Sequence, residues 1–115
     1  MRNHKAFGRY DNGFTITFEN GLVLSTRFGA MNYCENKKSL GDFPNERDGS
    51  PLLSDDVEIG VWYENDERNN TMPDWVTDWQ QDIFNDDSGT DDVRGWVTHS
   101  EWLRVVNWCR VWRPE

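Results

Sequence analysis

Phe14-Thr15-Ile16-Thr17-Phe18-Glu19-Asn20-Gly21-Leu22-Val23-Leu24-Ser25-Thr26-Arg27-Phe28 is the stretch on which the fold turns. Phe14, Ile16 and Phe18 alternate with threonines at the two-residue period of a strand with one buried face. Glu19-Asn20-Gly21 carries turn chemistry, and residues 22–28 return as a second β-rich run, so a hairpin is expected. Asp11-Asn12-Gly13 is a second turn signal, which makes residues 5–10 a preceding strand and the whole a short meander closed by Gly29.

Outward from the hairpin the pattern fails. Between Met31 and Leu53, Asn, Lys, Gly, Pro and Ser dominate, predicting a long loop of the kind that is usually functional or partly disordered. Val57-Glu58-Ile59-Gly60-Val61-Trp62-Tyr63 restores strand character as a further strand of the same sheet. At the end of the chain, Thr98-His99-Ser100-Glu101 has the form of a capping box, with Thr98 as N-cap. Trp102, Val105, Val106, Cys109 and Trp112 then mark one apolar helix face, Arg104 and Arg110 face water, and Pro114 follows the helix end. The expected fold class is α+β: a small antiparallel sheet, the N-terminal meander plus a central strand, packed by the C-terminal helix in a single domain over residues 1–115.

Residues 74–85 decide whether a second, acidic helix exists. Trp75, Trp79 and Ile83 recur every four residues, and Asp74, Asp78, Asp82 and Asp86 recur at the same interval. On a helix those carboxylates form a stripe with about 6 Å between neighbours. Like charges so placed, and Asp in a helix interior, both disfavour the helix, so stability alone gives no reason for the spacing. Pro73 suits a first helical turn and Asp74 its positive end. The same stretch also suits a mixture of strand and loop. Asp86-Asp87-Ser88-Gly89-Thr90-Asp91-Asp92 is an acidic turn.

Composition bounds the rest. A chain of 115 residues holds one core, and seven tryptophans supply apolar area that a hydrophobic content of 36% would otherwise lack. No stretch reaches the length of a membrane span, and Met1-Arg2-Asn3-His4-Lys5 lacks the apolar run of a signal peptide, so a cytoplasmic protein is expected. Cys34 and Cys109 have no CxxC partner and signal neither a zinc site nor a disulfide framework; two reduced thiols, one buried, are expected.

Charge is the most informative property because it is uneven. Residues 1–41 carry six Lys/Arg against three Asp/Glu, residues 42–92 sixteen Asp/Glu against Arg47 and Arg68, and residues 93–115 four Lys/Arg against two Glu. The whole excess behind the net charge of −9 thus lies in the middle. Such a concentration repels nucleic acid and attracts a partner with a Lys/Arg-lined groove, in a salt-dependent way. Acidic loops that merely keep a Trp-rich protein in solution are the competing explanation.

No catalytic signature emerges, and the chain is not expected to be an enzyme: GxSxG, HExxH, P-loop and GxGxxG patterns are missing from the sequence. An EF-hand counted from Asp86 or from Asp82 puts Val97 or Val93 where the bidentate Glu belongs, so calcium is not expected. His4 and His99 are not spaced as metal ligands. No metal and no cofactor are expected. Asn32-Tyr33-Cys34-Glu35-Asn36 gathers polar groups, an aromatic ring and a thiol in a loop, where it either holds a small ligand or closes a turn through its Asn side chains.

The stretch from Phe18-Glu19-Asn20-Gly21 through Asn32-Tyr33-Cys34-Glu35-Asn36 resembles the N-terminal signature of small proteins carried by bacteriophages and prophages. In size and acidic centre the chain is similar to phage-encoded DNA-mimic inhibitors of the anti-restriction and anti-CRISPR kind, a likeness that transfers no site residue. Together these imply an inhibitor of a host nucleic-acid-targeting defence system, acting in the host cytoplasm. Its expected partner is a basic nucleic-acid-binding effector or nuclease, with no direct nucleic-acid or membrane contact, and a homodimer stays open. Asp74, Asp78, Asp82, Asp86, Asp87, Asp91 and Asp92 are the expected partner-binding residues. The alternatives are a small-ligand or nucleotide-binding module using residues 32–36, and a structural phage component.

Overall fold

The computed structural model describes residues 5–38, 51–64, 74–86 and 92–113. The hairpin forms as its alternation dictates: β2 (Gly13–Thr17) pairs antiparallel with β3 (Leu22–Arg27), Ile16 opposite Leu24 and Phe14 opposite Thr26. Gly21 completes the turn at a φ of 91°, a conformation that side chains with a Cβ rarely adopt. β1 (Phe7–Tyr10) adds to the free side of β2, so the expected meander is present. β4 (Asp56–Tyr63) lies antiparallel on the other side of β3.

The far edge of β4 is shared by two further strands, the first from the stretch that suited either a helix or a mixture of strand and loop, the second without a signal in the sequence. β5 (Asp74–Trp75) pairs with Trp62 and Tyr63 at one end, and β6 (Val93–Thr98) pairs with residues between Asp56 and Gly60 at the other. Between them the chain leaves the sheet as α1 (Asp78–Phe84). All six strands form one antiparallel sheet, and α2 (His99–Val111) follows β6 directly. The architecture is therefore the expected α+β one, with the C-terminal helix on the sheet.

Register parity sets what lies between helices and sheet. Leu22 and Leu24 of β3, with Ile59 and Val61 of β4, share one face with Val97 of β6, and all are essentially inaccessible. Val105 and Cys109 of α2 and Trp79 of α1 close over them, so one core is sandwiched between sheet and helices. The Trp79 indole N–H donates to the Val76 carbonyl at 2.7 Å, which satisfies its one polar atom inside that core. At rates of about 25 cal/mol per Å², a fully buried Trp is among the largest single contributions to such a core.

Four polar devices fix the helices. Thr98 and Glu101 form the expected capping box: the Glu101 N–H donates to the Thr98 hydroxyl, and the Thr98 N–H donates to the Glu101 carboxylate. At the other end of α2, Asn20 in the β2–β3 turn donates from Nδ2 to the Cys109 and Trp112 carbonyls. The Arg104 guanidinium, exposed as expected, donates to the Ile83 carbonyl at the end of α1. α1 is stopped by Asn85, which adopts the left-handed conformation; its N–H donates to the Gln81 carbonyl and the next N–H, of Asp86, to the Gln80 carbonyl.

Both cysteines are buried and free, where one was expected to be. No helix among the described residues is long and apolar enough to cross a membrane.

Candidate functional site

The period-four aspartates do not form a helical stripe. Asp74 belongs to β5, where backbone pairing with Tyr63 holds it extended; Asp78 opens α1; Asp82 lies one turn on; and Asp86 falls beyond the left-handed Asn85 that ends the helix. The tryptophans separate with them. Trp75 crosses Trp62 edge to face at 5.4 Å on the sheet, whereas Trp79 is sealed in the core. The second, acidic helix is present but spans only seven residues, and Asp74 and Trp75 ahead of it are strand, in keeping with the mixture that the stretch also allowed.

Three of the carboxylates nonetheless come together. Asp78 and Asp82 line one groove of about 560 Å³ whose aromatic walls are Tyr63, Trp108 and Trp112, and which Arg113 also lines. Asp82 accepts a hydrogen bond from the Trp108 indole N–H at 2.8 Å, which sets that ring against α1. The Tyr63 and Trp112 rings meet edge to face at 5.2 Å. Burial pushes the Tyr63 phenol above its ordinary value of 10.0, and the negative charges of Asp74 and Asp78 push in the same direction. Asp74, paired in register with Tyr63, is thereby the third acid of this edge.

The remaining aspartates stand apart. Asp86 is neutralised by Arg94, with N–O at 3.0 Å, and the same guanidinium stacks over Phe84. Asp92 is exposed just ahead of β6. Asp87, Asp91 and His4 lie outside the described residues. Other acids serve the fold: the Glu58 carboxylate accepts from the Tyr33 N–H and from Asn32 Nδ2, and Asp56 accepts from the Glu35 N–H.

The loop at residues 32–36 is closed on itself. Asn32 Oδ1 accepts from the Gly29 N–H and from Asn12, while Asn36 Nδ2 donates to the Phe28 and Leu53 carbonyls. The Cys34 thiol points at the Gly29 carbonyl and is raised above its ordinary pKa, chiefly by burial. The polar groups that suggested a ligand are thus spent on backbone and neighbours, the turn-closing alternative. Tyr33 packs instead on Trp96, ring centres 5.7 Å apart, and accepts the Trp96 N–H on its carbonyl. A bulge in β6 makes that contact: Trp96 is left-handed, and a Cβ on Gly95 would lie 2.5 Å from the Tyr33 Cβ.

Among the described residues no group of three or more His, Cys, Asp or Glu is placed to hold a metal ion. The groove's aromatic walls are the residues that sequence reasoning missed as a site. Trp108 in the last turn of α2 and Trp112 at its C-cap are four apart, a spacing that hints at neighbouring rings, but only the fold adds Tyr63 from β4. Comparison of the chain with protein-family models, with curated proteins and with solved structures finds no match.

Proposed function

We propose that this protein is an acidic, phage-type inhibitor that occupies the basic nucleic-acid-binding surface of a host defence effector or nuclease, with Asp74, Asp78 and Asp82 standing where phosphates would. The observation that supports this reading is the grouping of these carboxylates along one edge, around a groove walled by Tyr63, Trp108 and Trp112. Carboxylates beside aromatic faces suit a Lys or Arg side chain twice over. The charge pairs with Asp, and the cation lies against a ring, a contact worth roughly 0.5–2 kcal/mol depending on desolvation. Lys/Arg grooves that hold a nucleic-acid backbone do so largely by charge, so an acidic edge of this kind competes for them.

Calorimetric titration against a panel of basic effectors and nucleases tests the reading. The wild-type protein is expected to bind at least one with an affinity that falls steeply with salt. Asp74→Asn, Asp78→Asn and Asp82→Asn combined should weaken binding and flatten the salt dependence, whereas Asp86→Asn, which removes a charge already spent on Arg94, should leave both nearly unchanged. Equal binding by the triple variant rejects the proposal.

A further inference from the structure

The two edges of the sheet are treated differently. At one, β5 is only two residues long, and β6 is bulged and covered where the Trp96 N–H donates to the Tyr33 carbonyl at 2.8 Å. Short strands, bulges and covering loops keep an edge from pairing with another chain. β1, at the other edge, has an unbroken register, no proline and, among the described residues, no strand on its outer side. Its Phe7 ring is left 78% exposed.

The β1–β2 ladder fixes which backbone groups point outward. The Thr17 N–H donates to the Ala6 carbonyl at 2.8 Å, and Tyr10 pairs with Gly13 across a two-residue turn. Bonded and non-bonded pairs alternate in an antiparallel ladder, so Gly8 and Tyr10 turn their backbone groups to β2 while Phe7 and Arg9 aim theirs away from the sheet. We propose that β1 of a second copy of this chain fills this template, antiparallel and two-fold symmetric, with Gly8 opposite Gly8. In that register Phe7 of each copy exchanges both backbone hydrogen bonds with Arg9 of the other, and every outward group of the two residues is paired.

Charge selects the same register. Phe7 and Arg9 share the face that carries Ile16 and Phe14, and a two-fold axis through the glycines keeps like faces together. Each Phe7 ring therefore lies beside the guanidinium of the second copy's Arg9, an attractive pairing. The symmetric registers on either side set Arg9 against Lys5 or against Arg9 of the second copy, where like charges repel. The facing glycines let the strands close without side chains between them. β1 also belongs to residues 1–41, with six Lys/Arg against three Asp/Glu, and lies across the sheet from Asp74 on β5, so two molecules of net charge −9 meet on their least acidic side. The contact is small, so the dimer is a weak one that forms reversibly with concentration. It is independent of the proposed function and leaves both acidic edges outermost.

Sedimentation velocity over a concentration series, with amide hydrogen exchange read by nuclear magnetic resonance, tests the dimer. The Phe7 and Arg9 amides should exchange about tenfold more slowly once roughly nine in ten chains are paired, whereas Gly8 and Tyr10 are protected at every concentration. Phe7→Lys, which places an ammonium beside each Arg9, should weaken the dimer about tenfold, and Phe7→Lys combined with Arg9→Glu should restore it to within about threefold of wild type. Arg9→Pro removes an N–H that β2 does not use, so it should abolish the dimer and leave the circular dichroism unchanged. A chain that stays monomeric up to about 1 mM overturns the inference. So does a dimer in which the Phe7 and Arg9 amides exchange freely, or a double variant no tighter than Phe7→Lys. Protection of those amides only on adding a basic effector would assign the edge to that partner and overturn it equally.

Discussion

Replacing Asn20 by Ala removes the group that ties the β2–β3 turn to the end of α2. Its Nδ2 donates to the Cys109 carbonyl at 2.7 Å and to the Trp112 carbonyl at 3.0 Å, and its Oδ1 accepts the Leu22 N–H at 3.1 Å. Each such bond contributes about 1 kcal/mol net. With all three lost, and water able to reach a half-buried site, the expected cost is roughly 2 kcal/mol, or about 8 °C in Tm for a domain near this size. Asn20→Asp keeps the shape and the acceptor for Leu22 but sets a negative charge against two carbonyls at the negative end of the helix, so it should cost more than Ala. Either change should also loosen Trp112 from Tyr63 and blunt the groove. Urea unfolding followed by tryptophan fluorescence, with thermal unfolding by circular dichroism, measures both variants. An Ala variant within about 0.5 kcal/mol of wild type, or an Asp variant more stable than Ala, would refute this account of how α2 is anchored.

Gly95→Ala should destabilise the protein by roughly 1–3 kcal/mol, because the new methyl meets Tyr33 Cβ at 2.5 Å and the Tyr33 carbonyl at 2.9 Å, and near-ultraviolet dichroism should report loss of the Tyr33–Trp96 pair. Burial pushes the Cys109 thiol from 9.0 up to about 12, so the folded protein keeps a proton that the unfolded chain releases. Stability is then intact below about pH 9 and falls as pH rises from there toward 12; the decline should be shallower in Cys109→Ala, and equal slopes would contradict the assignment. Asp74→Asn with Asp78→Asn should lower the Tyr63 phenol pKa while leaving it above the ordinary value, since burial is the larger cause; nuclear magnetic resonance titration of the ring reads this.

The parts of the fold that could be read in advance are those whose signals are local. Phe14 to Phe28 alternate around a three-residue turn, and Thr98 with Glu101 closes a capping box within one helical turn, so neither needed knowledge of distant contacts. Residues 74–85 misled because the spacing of Trp75, Trp79 and Ile83 satisfies helical periodicity, while the deciding interaction is the long-range pairing of Asp74 and Trp75 with Tyr63 and Trp62. The poor propensity of Asp for a helix interior did not decide the matter, since Asp82 lies inside α1; the strand pairing of Asp74 did. β6 was invisible for a related reason: Arg94, Gly95 and an exposed Trp96 break the alternation at a bulge that exists to meet Tyr33. The candidate site was half legible. Asp78 and Asp82 were identified from spacing, but the aromatic groove beside them combines β4 with the far end of α2, and the ion pair that removes Asp86 from the acidic edge depends on Arg94 returning along β6.

A competition measurement addresses the central claim most directly: whether this protein and a labelled nucleic-acid duplex exclude one another from the groove of a basic effector. Wild-type protein should displace the duplex completely, and the Asp74→Asn, Asp78→Asn, Asp82→Asn variant should displace little of it at the same concentration. A ternary complex in which the effector holds both the protein and the duplex would contradict the proposed occupation of a phosphate-binding surface.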